Sequence, residues 1–283
     1  MLHCNRISYS IRLSISALAK RMVVLVKAVA SHAFRLTFST VMAELPRLVW
    51  AVGRRGARLL KRPRMIRPGE FGVEAMADRR RGVFDYHNEA LLASGAPIDA
   101  VFLGDSITDM WALDVFFKGA RGMVVNRGIG GDRTPFVRRR FESDVLQLRP
   151  SLLVLCIGVN NTWDLDEWDV PMRRTPTAIE NEIVDDITAM VTLARENAIQ
   201  VALCSLLPTD VPFNGNTAER NALLKRANAR LHELASQSGA VWIDYHSRLV
   251  GDDGLTLREG LADDGLHPHV VGYQIMAETL VDA

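Results

Sequence analysis

The stretch Val101–Met110, VFLGDSITDM, decides how this chain is read. A run of apolar β-formers stops at Gly104, and an acid, a serine and a short polar segment follow. A serine hydroxyl is a poor nucleophile at neutral pH. A strand that ends by presenting one has chemical meaning only if a base, an orienting acid and an oxyanion site lie elsewhere in the chain. Alone, Gly-Asp-Ser is a weak signal, because Ser106 serves equally well as the cap of a following helix.

Outward from this point the sequence alternates. Strand-like runs are AVFLG (100–104), MVVN (123–126), SLLVLCIG (151–158), QVALCSLL (200–207) and AVWIDY (240–245). Helical patterns fill about Thr134–Gln147, Thr177–Asn197 and Thr217–Ser238; VEAMADRRRGVFDYHNEALLAS precedes the first strand, and a closing helix follows Pro268. Short, wholly apolar strands separated by helices predict a parallel sheet covered on both faces. The expected fold class is α/β, a three-layer α/β/α flavodoxin-like domain with about five strands and right-handed crossovers. In such sheets chemistry collects at the carboxyl ends of the strands. The fold by itself still does not say enzyme.

Four polar clusters fall on that edge. After the first strand stands Gly104-Asp105-Ser106, after the second NRGIGGDRT (Asn126–Thr134), after the third GVNNTWD (Gly158–Asp164), and beyond the fifth DDGLHPH (Asp263–His269). Gly130-Gly131 can bring a bare N–H close to a substrate, since no side chain obstructs it. Asn160 carries an amide that can donate to a developing oxyanion. His267 and Asp264 are three residues apart before a helix whose first turn suits Pro268. On such a turn the acid accepts from one imidazole nitrogen and leaves the other to take the serine proton. Asp263 is the competing orienter. Each cluster has a bland reading as a turn or a cap, but four in this order are hard to obtain by chance.

The blocks FLGDSITD, NRGIGGDRT, IGVNN and DGLHP resemble the four signature blocks of the SGNH hydrolases, the GDSL esterase/lipase family. The Gly-Gly-Asp-x-Thr and Gly-x-Asn-Asn versions are similar to those of the platelet-activating-factor acetylhydrolase catalytic subunits. The resemblance covers roughly Pro97–Ala283. It implies Ser106 as nucleophile, Asp264 and His267 as its triad partners, and an oxyanion hole formed by the backbone N–H groups of Ser106 and Gly131 with the Asn160 amide. It further implies a serine esterase acting on short acyl or acetyl esters of a carbohydrate or lipid through an acyl-enzyme, with no metal or organic cofactor. Ile107 replaces the leucine of the family name and Asn161 the aspartate of the commoner third block; both changes are expected to be harmless. A lysophospholipase or thioesterase of the same mechanism is the alternative. Trp111, Arg133, Trp163 and Phe213, on segments after successive strands, are the candidate substrate-pocket residues. Two readings from other classes are a metal-dependent hydrolase using Asp105, Asp109, Asp132, His267 and His269, and a non-catalytic flavodoxin-like binding domain.

The charge is lopsided around this core. The 283 residues are 48% apolar with net charge +1, yet Met1–Arg67 holds 14 Lys/Arg against one acid, Glu44. That piece carries +13 and the remainder −12. KRPRMIRPGEFG (Lys61–Gly72), with two prolines and two glycines, marks the boundary between an extension, 1–68, and a hydrolase domain, 69–283. MVVLVKAVASHAF in the extension is interrupted by Lys27, and no uncharged run approaches the roughly 18–20 residues that span a bilayer. Basic residues interleaved with aliphatics suggest peripheral contact of 1–67 with an anionic membrane, a cytoplasmic or membrane-surface location, and no nucleic-acid partner. A processed targeting segment or a later true start, such as Met42, Met65 or Met76, is the bland reading. Cys156 and Cys204 lie inside apolar runs and Cys4 is the third cysteine; buried thiols are expected rather than a disulfide framework.

Overall fold

The computed structural model describes residues 64–68, 77–118, 120, 122–212 and 214–283. The extension before Arg64 and the pocket candidate Phe213 lie outside the described residues.

Five strands, β1 (Ile98–Gly104), β2 (Met123–Gly128), β3 (Leu152–Cys156), β4 (Gln200–Cys204) and β5 (Val241–Ile243), form one sheet. Every pairing is parallel and the order is β2-β1-β3-β4-β5. The helices are α1 (Ala77–Ser94), α2 (Ser106–Asp109), α3 (Leu113–Phe116), α4 (Thr134–Asp144), α5 (Pro176–Glu196), α6 (Thr217–Ser238), α7 (Tyr245–Leu249) and α8 (Val270–Val281). Neighbouring α1, α4, α5 and α6 form a row, and α7 packs on α8. Right-handed crossovers place the row on one face and the β1–β2 connection on the other. The expected three layers and five parallel strands are therefore present.

The packing follows from periodicity. On α5, Ile179, Ile183, Ile187, Val191 and Ala194 repeat at helical spacing and are fully buried, as are Leu223, Leu224, Ala227 and Leu231 on α6. Thr175 caps α5, its hydroxyl accepting from Ala178 N–H at 3.2 Å, and Pro176 occupies the first turn. Gly239 ends α6 in the left-handed region at φ +73°.

Four elements are shorter than their sequence patterns, β5 among them with only Val241–Ile243 of the run 240–245. β3 stops at Cys156 because Gly158 turns away at φ +142°. β4 stops at Cys204 because β5 is only three residues long. Beyond Ser205 side chains of α6 satisfy backbone groups: Asn228 accepts from Leu206 N–H at 2.7 Å and donates to Leu206 C=O at 2.9 Å, and Asn221 does the same for Thr209. The pattern Thr134–Gln147 divides into α4 and a 3₁₀ turn, Leu146–Leu148, followed by Arg149 at φ +50°. Gln147 also holds the strap before α1, accepting from Ile66 N–H at 2.9 Å and donating to Ile66 C=O at 3.1 Å.

The chain leaves β1 in one direction across the sheet and β3 in the other. The carboxyl ends of β1 and β3 therefore flank the topological switch point, where such sheets open a crevice.

Candidate active site

Ser106 stands at the first position of α2, immediately beyond β1. The turn needs Gly104, since a Cβ there would lie 2.2 Å from Thr108 Oγ1 and 2.3 Å from Cys156 C=O. Asp105 caps α2, accepting from Ile107 N–H at 3.0 Å. Burial pushes its carboxyl up to about 7, against the pull of that N–H, with the neighbouring Asp132 adding to the rise.

His267 Nε2 lies 2.8 Å from Ser106 Oγ, and His267 Nδ1 lies 2.5 Å from Asp264 Oδ2. The other Asp264 oxygen accepts from Leu266 N–H at 2.9 Å and His267 N–H at 2.8 Å. Partial burial opposes ionisation of Asp264, but the His267 ring and these two amides outweigh it and hold the carboxyl down to about 2. Asp263, the competing orienter, is exposed and bonds to nothing among the described residues. The acid–imidazole–hydroxyl chain is thus continuous through Asp264.

The Gly-Gly turn adjoins the serine. A Cβ on Gly130 would meet Ser106 Cβ at 3.9 Å, and Ile129 N–H donates to Gly104 C=O at 3.1 Å. Gly131 adopts φ +78°, and neither its N–H nor that of Ser106 is bonded among the described residues. Asn160 is the second residue of a 3₁₀ segment, Val159–Leu165, that follows β3. Its Nδ2 donates to Asp132 C=O at 3.0 Å, and its Oδ1 accepts from Trp163 Nε1 at 3.1 Å. A carbonyl can only accept and an indole N–H can only donate, so these partners fix the amide's orientation. One Nδ2 hydrogen remains uncommitted.

A residue the sequence reading missed joins these parts. Arg140, fully buried on α4, donates through Nε to Asp132 at 2.8 Å and through Nη2 to Gly104 C=O at 3.0 Å. Its Nη1 donates to Arg127 C=O at 2.9 Å and to Asp144 at 2.8 Å. It ties the ends of β1 and β2 to the Gly-Gly turn. Arg138-Arg139-Arg140 reads as a solvated charge run, but helical phase with Val137, Phe141 and Asp144 marks the third arginine as inward.

The pocket candidates separate. Trp111 is in the core, 4% exposed, stacked on Tyr273 and edge-on to Phe102; its burial removes it from any solvent-facing wall. Tyr273 in turn donates to Ile107 C=O at 2.8 Å, supporting α2 from behind. Arg133 is half-buried and paired with Asp164, which also meets Arg174 at 3.4 Å. Trp163 is half-buried and donates through Nε1 to Asn160 Oδ1. Asn161 caps α4, accepting from Thr134 N–H at 3.1 Å. The residues of the metal reading are dispersed into other contacts: Asp132 pairs with Arg140, Asp109 with Arg80 and Asp105 with Ile107 N–H, while His269 caps α8. Among the described residues no three His, Cys, Asp or Glu side chains are grouped to hold a metal ion.

This arrangement agrees with what the chain is similar to. The model of the GDSL-like Lipase/Acylhydrolase family matches residues 102–275, more than half of the chain. An acetylxylan esterase of Geobacillus stearothermophilus is 21% identical in an alignment of 204 positions that covers 64% of this chain and 91% of that protein. The crystal structure of a GDSL-like lipase from Bacteroides thetaiotaomicron VPI-5482 superposes with TM-score 0.62 at 26% identity, over 74% of this chain and 97% of the other. That of the Geobacillus acetylxylan esterase shares the fold, with TM-score 0.52 at 20% identity over 65% and 93% of the two chains. With its sheet, its switch-point serine and this match, the chain belongs to the GDSL-like lipase/acylhydrolase (SGNH) family and is an ester-hydrolysing enzyme.

Proposed function

We propose that the protein is a serine esterase that cleaves short acyl esters, acetyl esters of a carbohydrate or lipid, through an acyl-enzyme on Ser106. The observation that carries this reading is the unbroken chain Asp264–His267–Ser106, at 2.5 and 2.8 Å. His267 Nε2 takes the Ser106 proton as Oγ attacks the ester carbonyl, and Asp264 stabilises the imidazolium through Nδ1–H. The Ser106 and Gly131 amides and the uncommitted Asn160 hydrogen receive the oxyanion. Each such donor is typically worth about 2.7–4 kcal/mol in comparable hydrolases. Collapse expels the alcohol, protonated by His267; the same imidazole then activates water to release the acid and free the serine. No step calls on a metal or an organic cofactor.

The acetyl preference draws support from the likeness to an acetylxylan esterase. The lysophospholipase or thioesterase reading draws its support from Trp168, Val170 and Met172, at 87%, 65% and 67% exposed on the segment after β3. Nitrophenyl esters from acetyl to palmitoyl discriminate: kcat/KM is expected to peak at acetyl, and a peak at eight carbons or more overturns the short-acyl assignment. A fluorophosphonate should label Ser106, and Ser106→Ala should lower kcat by several orders of magnitude with the fold intact. Retention of a tenth or more of the activity removes Ser106 from the mechanism.

A further inference from the structure

We propose that Trp163, held by Arg220, is a positioning residue that sets Asn160 as an oxyanion donor; this rests on the proposed oxyanion role of Asn160. Asn160 and Trp163 are three residues apart on a 3₁₀ helix, whose three residues per turn place i and i+3 one above the other. Register alone therefore brings the indole N–H to Asn160 Oδ1, at 3.1 Å. An asparagine amide can present either its oxygen or its NH2 to a substrate, and only the NH2 stabilises an oxyanion. The donor-only indole makes the wrong flip costly, because it would set an N–H against an N–H.

The indole is itself held. The Arg220 guanidinium lies 4.1 Å from the Trp163 ring centroid and is fully buried. Nε donates to Thr162 Oγ1 at 3.0 Å and Nη2 pairs with Asp166, so one α6 side chain grips the 3₁₀ segment on both sides of Trp163. Asn216 adds a second hold, donating to Leu165 C=O at 3.1 Å and Asp166 at 2.7 Å. Arg220 Nη1 has no hydrogen-bond acceptor among the described residues, and the electron-rich ring face beneath the guanidinium compensates it. A cation over the ring draws π density from it and makes the indole N–H a stronger donor. That polarisation passes through Asn160 Oδ1 to the amide hydrogens, which strengthens the donor facing the oxyanion. The pairing thus acts on the transition state more than on the bound ester.

The test is a double-mutant cycle of Trp163→Phe and Asn160→Ala in the full chain, read with a soluble nitrophenyl acetate and a trifluoromethyl ketone. Trp163→Phe keeps a ring beneath Arg220 and removes the N–H. It should lower kcat about tenfold, a fraction of the roughly 10²–10³ lost with a whole donor. KM should stay within about twofold, and ketone affinity should fall by the same factor as kcat. In the Asn160→Ala background the Trp163 effect should vanish. If Trp163→Phe folds poorly, benzothienylalanine at 163, which replaces only the N–H by sulfur, gives the same readout. A large loss in Asn160→Ala with no change in either 163 variant overturns this inference alone. No loss in Asn160→Ala overturns the oxyanion reading beneath it. Equal losses from the 163 variants with and without Asn160 show that Trp163 acts elsewhere.

Discussion

Asp105 precedes the serine in the chain and Asp264 reaches it through His267, yet the surroundings of the two aspartates push them in opposite directions. Burial raises Asp105 to about 7, whereas hydrogen bonds hold Asp264 at about 2. The consequences for stability have opposite sign. Asp105 binds its proton more tightly folded than unfolded, so its contribution is complete below about pH 4 and is lost as pH rises through about 7. Asp264 contributes above about pH 4 and loses that contribution as pH falls through about 2. Asp105→Asn keeps an acceptor for Ile107 N–H without the charge. Urea denaturation should show the variant more stable than the native protein at pH 8, by on the order of 2–4 kcal/mol, with little difference at pH 4. A difference that does not change with pH would mean that Asp105 is not buried as a neutral acid. For activity, Asp264→Asn should cost roughly 10³–10⁴ in kcat, as expected for an orienting acid, and Asp263→Asn under about threefold. Kinetics of the pair in the reverse order would reassign the acid.

The turn that presents His267 belongs to a larger element, the crossing of two loops. Gly265 sits at φ +72°, and a Cβ there would lie 1.9 Å from Asp210 C=O, while Asp210 N–H donates to Gly265 C=O at 2.7 Å. The loop after β4 thus clamps the segment that carries Asp264 and His267. Gly265→Ala should destabilise the protein by roughly 2–4 kcal/mol from strain plus overlap, and should lower kcat by about tenfold or more through misplacement of His267. Gly260→Ala is the control: it has φ +79° but open space around its Cβ position. It should cost only about 1 kcal/mol and leave kcat unchanged. Denaturation and turnover measured on both separate clamping from backbone strain. A Gly265→Ala protein with full kcat would show that the clamp does not position the histidine.

At the scale of the molecule, the proposed division at 1–68 and 69–283 assigns chemistry to the second part and location to the first. A chain beginning at Gly69 should keep its turnover on nitrophenyl acetate within about threefold, since every site residue described lies beyond it. It should melt lower than the full chain, because it lacks Ile66, whose backbone pairs with Gln147 at 2.9 and 3.1 Å. The +13 charge of Met1–Arg67 should bind the full chain to anionic vesicles and release it at high salt. Co-sedimentation of both chains tests this: equal pelleting, or none, removes the membrane-surface proposal. An inactive Gly69 chain would move the boundary toward the N-terminus.

Patterns short enough to be local were legible from the sequence. The five apolar runs became five parallel strands, since a strand buried on both faces has to be apolar throughout. Glycine at 104 announced a tight turn, and the three-residue spacing of Asp264 and His267 announced a side chain folding back on its neighbour. What the sequence could not show depended on partners far along the chain. Ser106 and His267 are 161 residues apart and meet because β1 ends at the switch point and the α8 approach crosses it. Arg140 reads as one of three arginines until the fold surrounds it with the carbonyls of two strand ends. Trp111, read as a pocket wall from its place after β1, went into the core because Tyr273 of α8 offered it a face. Trp163, expected in the pocket, is half-buried, and what the sequence did not show is that a 3₁₀ register and a buried guanidinium from α6 turn its N–H to Asn160. Periodicity and turn chemistry are properties of adjacent residues, so the sequence determined the elements and the edge where polar groups gather. Which polar group faces which is decided by long-range packing, and only the tertiary structure supplies it.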